Sequence, residues 1–146
     1  MTRLIFVRHG QSNSNVEKSI DGRTLNSDLS DLGVNQAQNI GKKIKSTGIE
    51  IAQAYSSPSL RTTKTAQNIL SELNLTSKLT LNEDERLHEK WYGSYEGASE
   101  SKYAVVRKKE DEDHQNLTTF NEKFAYTPLA EIESMQDVYV LSLIHI

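Results

Sequence analysis

Four apolar residues, Leu4 to Val7, run without a polar break into Arg8, His9 and Gly10. A continuous apolar run predicts a strand over residues 3 to 8, covered on both faces as in a parallel sheet. A polar stretch containing Gly22 follows and reads as a loop. Over residues 27 to 48, "SDLSDLGVNQAQNIGKKIKSTG", Ala37, Ile40 and Ile44 recur at helical spacing, with Ser30 as the N-cap and Gly48 as the stop. "IEIAQAYSS", residues 49 to 57, predicts a second strand. "SPSLRTTKTAQNILSELN" predicts a second helix, with Ser57 as its cap, Pro58 at its first position and a buried stripe of Leu60, Ala66, Ile69, Leu70 and Leu73. "KLTL", residues 78 to 81, predicts a third strand. Strands alternating with helices imply βαβ units. The expected fold class is therefore α/β, three-layered, with helices on both faces of a mainly parallel sheet.

Beyond residue 99 the pattern weakens. "ESKYAVVRKKEDEDHQ" predicts a helix whose charge blocks form a solvated face. Residues 98 to 131 carry no assignable motif, and no internal repeat or low-complexity linker is visible.

Composition narrows the function. The 146 residues fit one ordinary domain. A net charge of −3 argues against nonspecific nucleic-acid binding, which needs a basic surface. With no cysteine, disulfides, thiolate metal sites and cysteine nucleophiles are excluded. The N-terminal apolar run is too short for a signal-peptide core, and no segment is long enough to span a membrane. A cytoplasmic domain is the expectation.

Ligands of open α/β sheets bind outside the carboxyl ends of the strands. The first strand delivers Arg8 and His9 there, and "YSSPSLR" brings Arg61 to the start of the next helix. Guanidinium forks suit phosphate oxygens, and a neutral imidazole is a competent nucleophile toward phosphorus. Gly10 clears space beside His9, while Ser12 and Asn15 add neutral donors. Such a group suits phosphoryl transfer without a metal, by positioning and charge stabilisation. "RLHEKWYGSYEG" adds Glu89, a carboxylate among aromatics. Partial desolvation there would raise its pKa and equip it to protonate a leaving oxygen. Taken singly, "RHG" is weak evidence, and Glu89 reads equally well as a loop surface residue.

The combination is more specific. "RHGQSNSN", "DLSDLG", "YSSPSLRTTKTA" and "LHEKWYGSYEG" occur in the order of the motifs of the histidine phosphatase superfamily (phosphoglycerate mutase-like), which this chain resembles over residues 3 to 97. "IESMQDVY", residues 132 to 139, is similar to that family's Gly-Glu-Ser-x-x-Asp-Val helix start, with Ile132 in place of glycine. The resemblance implies His9 as the nucleophile, Arg8 and Arg61 as ligands of the transferring phosphoryl group, and Glu89 as proton donor. It implies Gly10, Ser12 and Asn15 in the phosphate pocket and Gly22 near a small phosphorylated substrate, with no metal and no cofactor.

The chain departs from the family in lacking a Ser-His-Gly motif, which supplies a second histidine after the last core strand. The tail "VYVLSLIHI" offers only His145, and it arrives a whole helix too early. The hexapeptide Leu141 to Ile146 is what the mosaic end of a transposase sequencing adapter, CTGTCTCTTATACACATC, encodes. Residues 1 to 140 are therefore expected to form a histidine phosphatase domain incomplete at its C-terminus, missing its last core strand, and residues 141 to 146 a non-native tail. An unpaired strand and exposed apolar surface would lower solubility. His88 and His114 are expected to be structural or exposed. The short spacing between Gly97 and Glu133 favours a phosphomonoesterase over a cofactor-dependent phosphoglycerate mutase, whose insertion there is longer. A phosphate-binding module without turnover is the reading from a different class.

Overall fold

The protein is described by a computed structural model covering residues 3–24, 26–127, 129 and 132–137. His145 and the tail from 141 to 146 lie outside the described residues. The chain divides into two units, Met1–Asn13 with Ser27–Asp84, and Ser14–Asn26 with Glu85–Ile146.

In the first unit the helices follow the periodicity closely. Helix α2, Asp31–Ser46, comes after the short α1, Asn13–Glu17, in chain order. Ser30 caps it by accepting the Gly33 amide at 3.2 Å, and Gly48 follows its end at φ +68°, the left-handed region that glycine enters at least cost. Strand β1, Ala54–Ser56, pairs in parallel with β2, Leu81–Glu83, in the register Ala54 to Leu81. Helix α3, Leu60–Glu72, connects them, so the expected βαβ unit is present. α3 starts two residues later than the sequence suggests, with Ser59 as its cap residue and not Ser57. The Thr62 hydroxyl donates to the Ser57 carbonyl at 2.9 Å and lies 2.7 Å from the Ser57 hydroxyl, which ties Ser57 outside the helix.

Only part of the expected stripe on α3 is fully buried. Ile69 and Leu70 are, Leu60, Ala66 and Leu73 are half-buried, and Arg61, Thr63 and Thr65 take the remaining buried positions. α2 packs on α3 where Gly41 has no side chain, since a Cβ there would stand 2.7 Å from that of Glu72. Lys45 donates to the Glu72 carbonyl at 2.9 Å, a cation at a helix C-terminus where it is favoured.

Three strand expectations need correction. Strand β1 is confined to Ala54–Ser56 and does not span residues 49 to 57. Strand β2 begins at Leu81, not at residue 78, because the Lys78 and Leu79 amides both donate to the Leu75 carbonyl and hold a turn there. Residues 3 to 10 form no ladder among the described residues, and the run is uncovered, with Leu4 73% and Phe6 90% exposed. The described sheet has two strands.

The second unit has a small core of Ile20, Tyr103, Val106 and Ile132, with Tyr92, Tyr95 and Leu129 packed against it. Tyr103 meets Tyr92 and Tyr95 edge-on, each at 5.4 Å between ring centroids. Tyr103 and Val106 project from α4, Glu100–Asn116, whose other side chains stay largely in solvent as the charge blocks predict. A short α5, Phe120–Ala125, follows. The predicted helix start in "IESMQDVY" is present: residues 135 to 137 are helical, the Ser134 amide donates to the Asp137 carboxylate at 2.8 Å, and the Asp137 amide returns to the Ser134 hydroxyl at 3.1 Å. No described helix is long and apolar enough to cross a membrane.

Candidate functional site

The two units divide the expected site residues. Arg8, His9, Gly10, Ser12 and Arg61 belong to the first, and Asn15, Gly22 and Glu89 to the second.

In the first unit His9 is half-buried and its Nδ1 lies 2.7 Å from the carbonyl oxygen of Gly10. A carbonyl only accepts, so Nδ1 carries the hydrogen and donates it, and in the neutral ring the lone pair resides on Nε2. Gly10 is itself held at three points. Its carbonyl takes the His9 ring, its amide donates to the Thr65 hydroxyl at 3.1 Å, and its α-carbon abuts Gly33, where a Cβ would stand 2.4 Å from the Gly33 carbonyl oxygen. The next residue is anchored to the same helix, the Gln11 amide on the Gln36 side-chain oxygen at 2.9 Å and the Gln11 carbonyl on the Ser30 amide at 2.9 Å.

Arg61 sits in the first turn of α3 and is 3% exposed, whereas Arg8 is exposed. The Thr65 hydroxyl donates to the Arg61 carbonyl at 2.7 Å. A cavity of about 360 Å³ opens beside Val7, Arg8, His9 and Gly10, with Gln36, Ala37, Asn39 and Ile40 of α2 and Thr65 of α3 completing its lining. Its size is that of a small-molecule site. Ser12 is fully buried in an isolated bridge with Leu29.

In the second unit one carboxylate organises the loop around Gly22. Glu96 accepts the amides of Gly22, Arg23, Thr24 and Tyr92 at 3.1 to 3.2 Å, together with the Thr24 hydroxyl. Gly22 has no room for a side chain, since a Cβ would stand 2.6 Å from the backbone carbonyl oxygen of Lys90. Arg23 then reaches the Glu89 segment. Its Nε donates to the Glu89 carbonyl at 3.1 Å, and its guanidinium pairs with Glu133 at 2.7 Å. Glu133 accepts the Trp91 amide at 2.9 Å, and its own amide donates to the Trp91 carbonyl at 3.1 Å. The backbone on both sides of Lys90 is thus pinned.

The Glu89 side chain itself is exposed, not desolvated among the neighbouring aromatics as the sequence suggests, and its carboxylate accepts the adjacent Lys90 amide. Burial, and after it the Glu89 charge, pushes the Tyr92 phenol above its usual pKa. Asn15 is exposed. His88 pairs with Glu85 at 2.7 Å, and His114 packs edge-on against Tyr126, in keeping with structural roles. Among the described residues no three His, Asp or Glu side chains cluster closely enough to hold a metal ion.

Four residues to which the sequence assigns no role, three within the motifs and one beside Gly22, emerge as organisers. They are Thr65 in "RTTKTA", Glu96 in "YEG", Glu133 in "IES" and Arg23 after Gly22. Thr65 was identifiable as a hydroxyl on the same helix as Arg61, one turn on. The others become legible only through contacts distant in sequence.

The family model described as the histidine phosphatase superfamily (branch 1) matches residues 4–140. The chain is 34% identical over 140 residues to the 2,3-bisphosphoglycerate-dependent phosphoglycerate mutase of Staphylococcus saprophyticus, covering 96% of this chain and 58% of that protein. It is 31% identical over 106 residues to the fructose-2,6-bisphosphatase TIGAR of Xenopus tropicalis, covering 73% of this chain and 38% of that one. Among solved structures, a mycobacterial glucosyl-3-phosphoglycerate phosphatase complexed with VO3 superposes with a TM-score of 0.71 at 25% identity, covering 92% of this chain and 60% of that chain. The chain therefore spans only about half the length of such relatives.

Proposed function

Since this chain belongs to the histidine phosphatase superfamily, we propose that it serves phosphomonoester hydrolysis through a phosphohistidine on His9, without a metal ion. The supporting observation is the Nδ1 contact of His9 with the Gly10 carbonyl at 2.7 Å, which directs the lone pair of the neutral ring to Nε2. Nε2 attacks phosphorus and the bond from phosphorus to the ester oxygen breaks. The Glu89 carboxyl gives its proton to that oxygen, and the alcohol leaves. Water then attacks the phosphohistidine, yielding its proton to Glu89, and the nitrogen–phosphorus bond breaks to release inorganic phosphate. Arg8 and Arg61 neutralise charge on the transferring group. Ser12, Asn15 and Gly22 belong to the substrate side of the same reading, and the substrate is a small phosphorylated metabolite.

The mutase relative favours a second reading, in which phosphohistidine returns its phosphoryl group to a hydroxyl of a phosphorylated sugar acid. Turnover of p-nitrophenyl phosphate and of phosphoglycerates, with trapping of an acid-labile phosphoenzyme, separates the two. Phosphatase turnover with a trapped phosphoenzyme, both absent in His9→Ala, is the expected result. Turnover unchanged in His9→Ala would overturn both readings. Phosphate or vanadate binding without hydrolysis of any monoester would reduce the chain to a binding module.

A further inference from the structure

We infer that Thr65 is a positioning residue for the His9 nucleophile, acting through the Gly10 backbone. The inference rests on the phosphohistidine reading of His9. A threonine in mid-helix ordinarily donates back to the carbonyl four residues earlier, and Thr65 does so to Arg61 at 2.7 Å. That bond alone would be unremarked. The second bond is different, because the same hydroxyl oxygen accepts the Gly10 amide at 3.1 Å across 55 positions of sequence. A hydroxyl is one donor and an acceptor at once, so this single group links the Gly10 amide to the Arg61 carbonyl.

The peptide it grips is the one joining His9 to Gly10. The other end of Gly10 accepts the His9 ring through its carbonyl, and Gly33 blocks its α-carbon from moving sideways. Thr65 holds the peptide plane before the Gly10 α-carbon, and Gln36, accepting the Gln11 amide, holds the plane that contains the Gly10 carbonyl. With both planes and the α-carbon between them held, the carbonyl sets the tautomer and the tilt of the imidazole. The helix that carries Thr65 also carries Arg61, so the hydroxyl ties the nucleophile's backbone to that of a phosphoryl ligand. Thr65 is buried and lines the cavity beside His9. Its hydroxyl has both of its stated partners in backbone groups, which marks it as a brace and not a group that meets substrate.

Valine keeps the shape and removes both bonds; serine keeps the hydroxyl and removes the methyl. With p-nitrophenyl phosphate as the probe, Thr65→Val is expected to lower kcat about 100-fold with KM little changed, as misplacement of a reacting group does. Thr65→Ser is expected to restore most of it. A purely structural role would instead lower melting temperature in proportion to activity in both variants. Nitrogen NMR shifts of the His9 ring provide the arm independent of turnover: the parent protein should show hydrogen on Nδ1, Thr65→Val a mixture, and Thr65→Ser the parent pattern. If the parent protein turns over no monoester, the functional reading fails while the ring shifts still decide the role of Thr65. Should Thr65→Val not fold, hydrogen exchange of the Gly10 amide in the unaltered protein decides. Strong protection supports the brace, and exchange at the rate of an open amide overturns it. Parent-like kcat and ring shifts in a folded Thr65→Val would likewise overturn it.

Discussion

Gly10 and Gly33 meet backbone to backbone. A Cβ on Gly10 would stand 2.4 Å from the carbonyl oxygen of Gly33, and a Cβ on Gly33 2.1 Å from that of Gln11. Neither clash involves a flexible side chain, so relief requires moving either the loop bearing His9 or the first turn of α2. Gly33→Ala should cost about 1–3 kcal/mol of stability by overpacking, and should reduce turnover beyond what that loss explains. Urea unfolding alongside kinetics on the folded protein checks both parts. A variant as stable and as active as the parent would mean that the loop yields freely.

The helix signals in the sequence were reliable where local chemistry decides. Ser30, Ala37 and Gly48 place α2 because capping, apolar spacing and a left-handed stop all act within a few residues. The same holds for Ser134 and Asp137 at the later helix start. The apolar run Leu4 to Val7 suggests a buried strand, yet burial needs neighbours, and those are set by segments far away in the chain. The motifs single out Arg8, His9, Gly10 and Arg61 as candidates, but a motif does not reveal which group holds which. Thr65, Glu96, Arg23 and Glu133 work mostly through contacts between residues more than 40 positions apart, the Thr65–Arg61 and Glu96–Tyr92 bonds being local. No local pattern encodes those.

Glu96 concentrates four backbone amides on one carboxylate, which makes it the keystone of the Gly22 loop. Glu96→Ala would leave those donors to find water in a half-buried setting. Destabilisation of about 2–3 kcal/mol is expected, since each stranded buried donor costs on the order of 1–3 kcal/mol and part of that is recovered by hydration. Glu96→Gln keeps one accepting oxygen and should lie between. Chemical denaturation of the three proteins tests the order, and equal stability of alanine and parent would remove Glu96 from this role.

The Arg23–Glu133 pair, at 2.7 Å, connects the Gly22 loop to the segment carrying Glu89. Both side chains are about four-fifths buried, at 24% and 18% exposure, so screening is incomplete. A double-mutant cycle with Arg23→Met and Glu133→Gln should return a coupling of about 1 kcal/mol. Arg23→Met should also lower kcat if Glu89 is the proton donor, because the Glu89 carbonyl loses its anchor. A coupling indistinguishable from zero would show that the pair does not stiffen this segment.

The uncovered run at the N-terminus makes a solution prediction. Leu4, Ile5, Phe6 and Val7 are 73%, 41%, 90% and 40% exposed, a contiguous apolar strip whose backbone makes no ladder among the described residues. Strips of this kind pair with other chains. The protein should self-associate with rising concentration and bind a hydrophobic dye, and Phe6→Lys should reduce both. Light scattering that stays flat with concentration in the parent would contradict this.

Tyr103 links the second unit's core to pH. Burial, and then the nearby Glu110 charge, pushes its phenol from 10.0 up to about 12. The folded state therefore favours the neutral phenol more than the unfolded chain does. Below the unfolded pKa of 10.0 both states are protonated and the preference has no effect on stability, which is then at its full value. As pH rises past 10.0 the unfolded chain ionises first, and stability falls until the folded phenol ionises near 12. Tyr103→Phe retains the edge-on packing against Tyr92 and Tyr95 and removes the ionisation. Its stability should decline less steeply than the parent's over that alkaline window and match it in slope at neutral pH. Tyr92, raised by the same burial, leaves a residual decline in the variant. Parallel curves for the two proteins through the window would show that Tyr103 ionises as freely folded as unfolded.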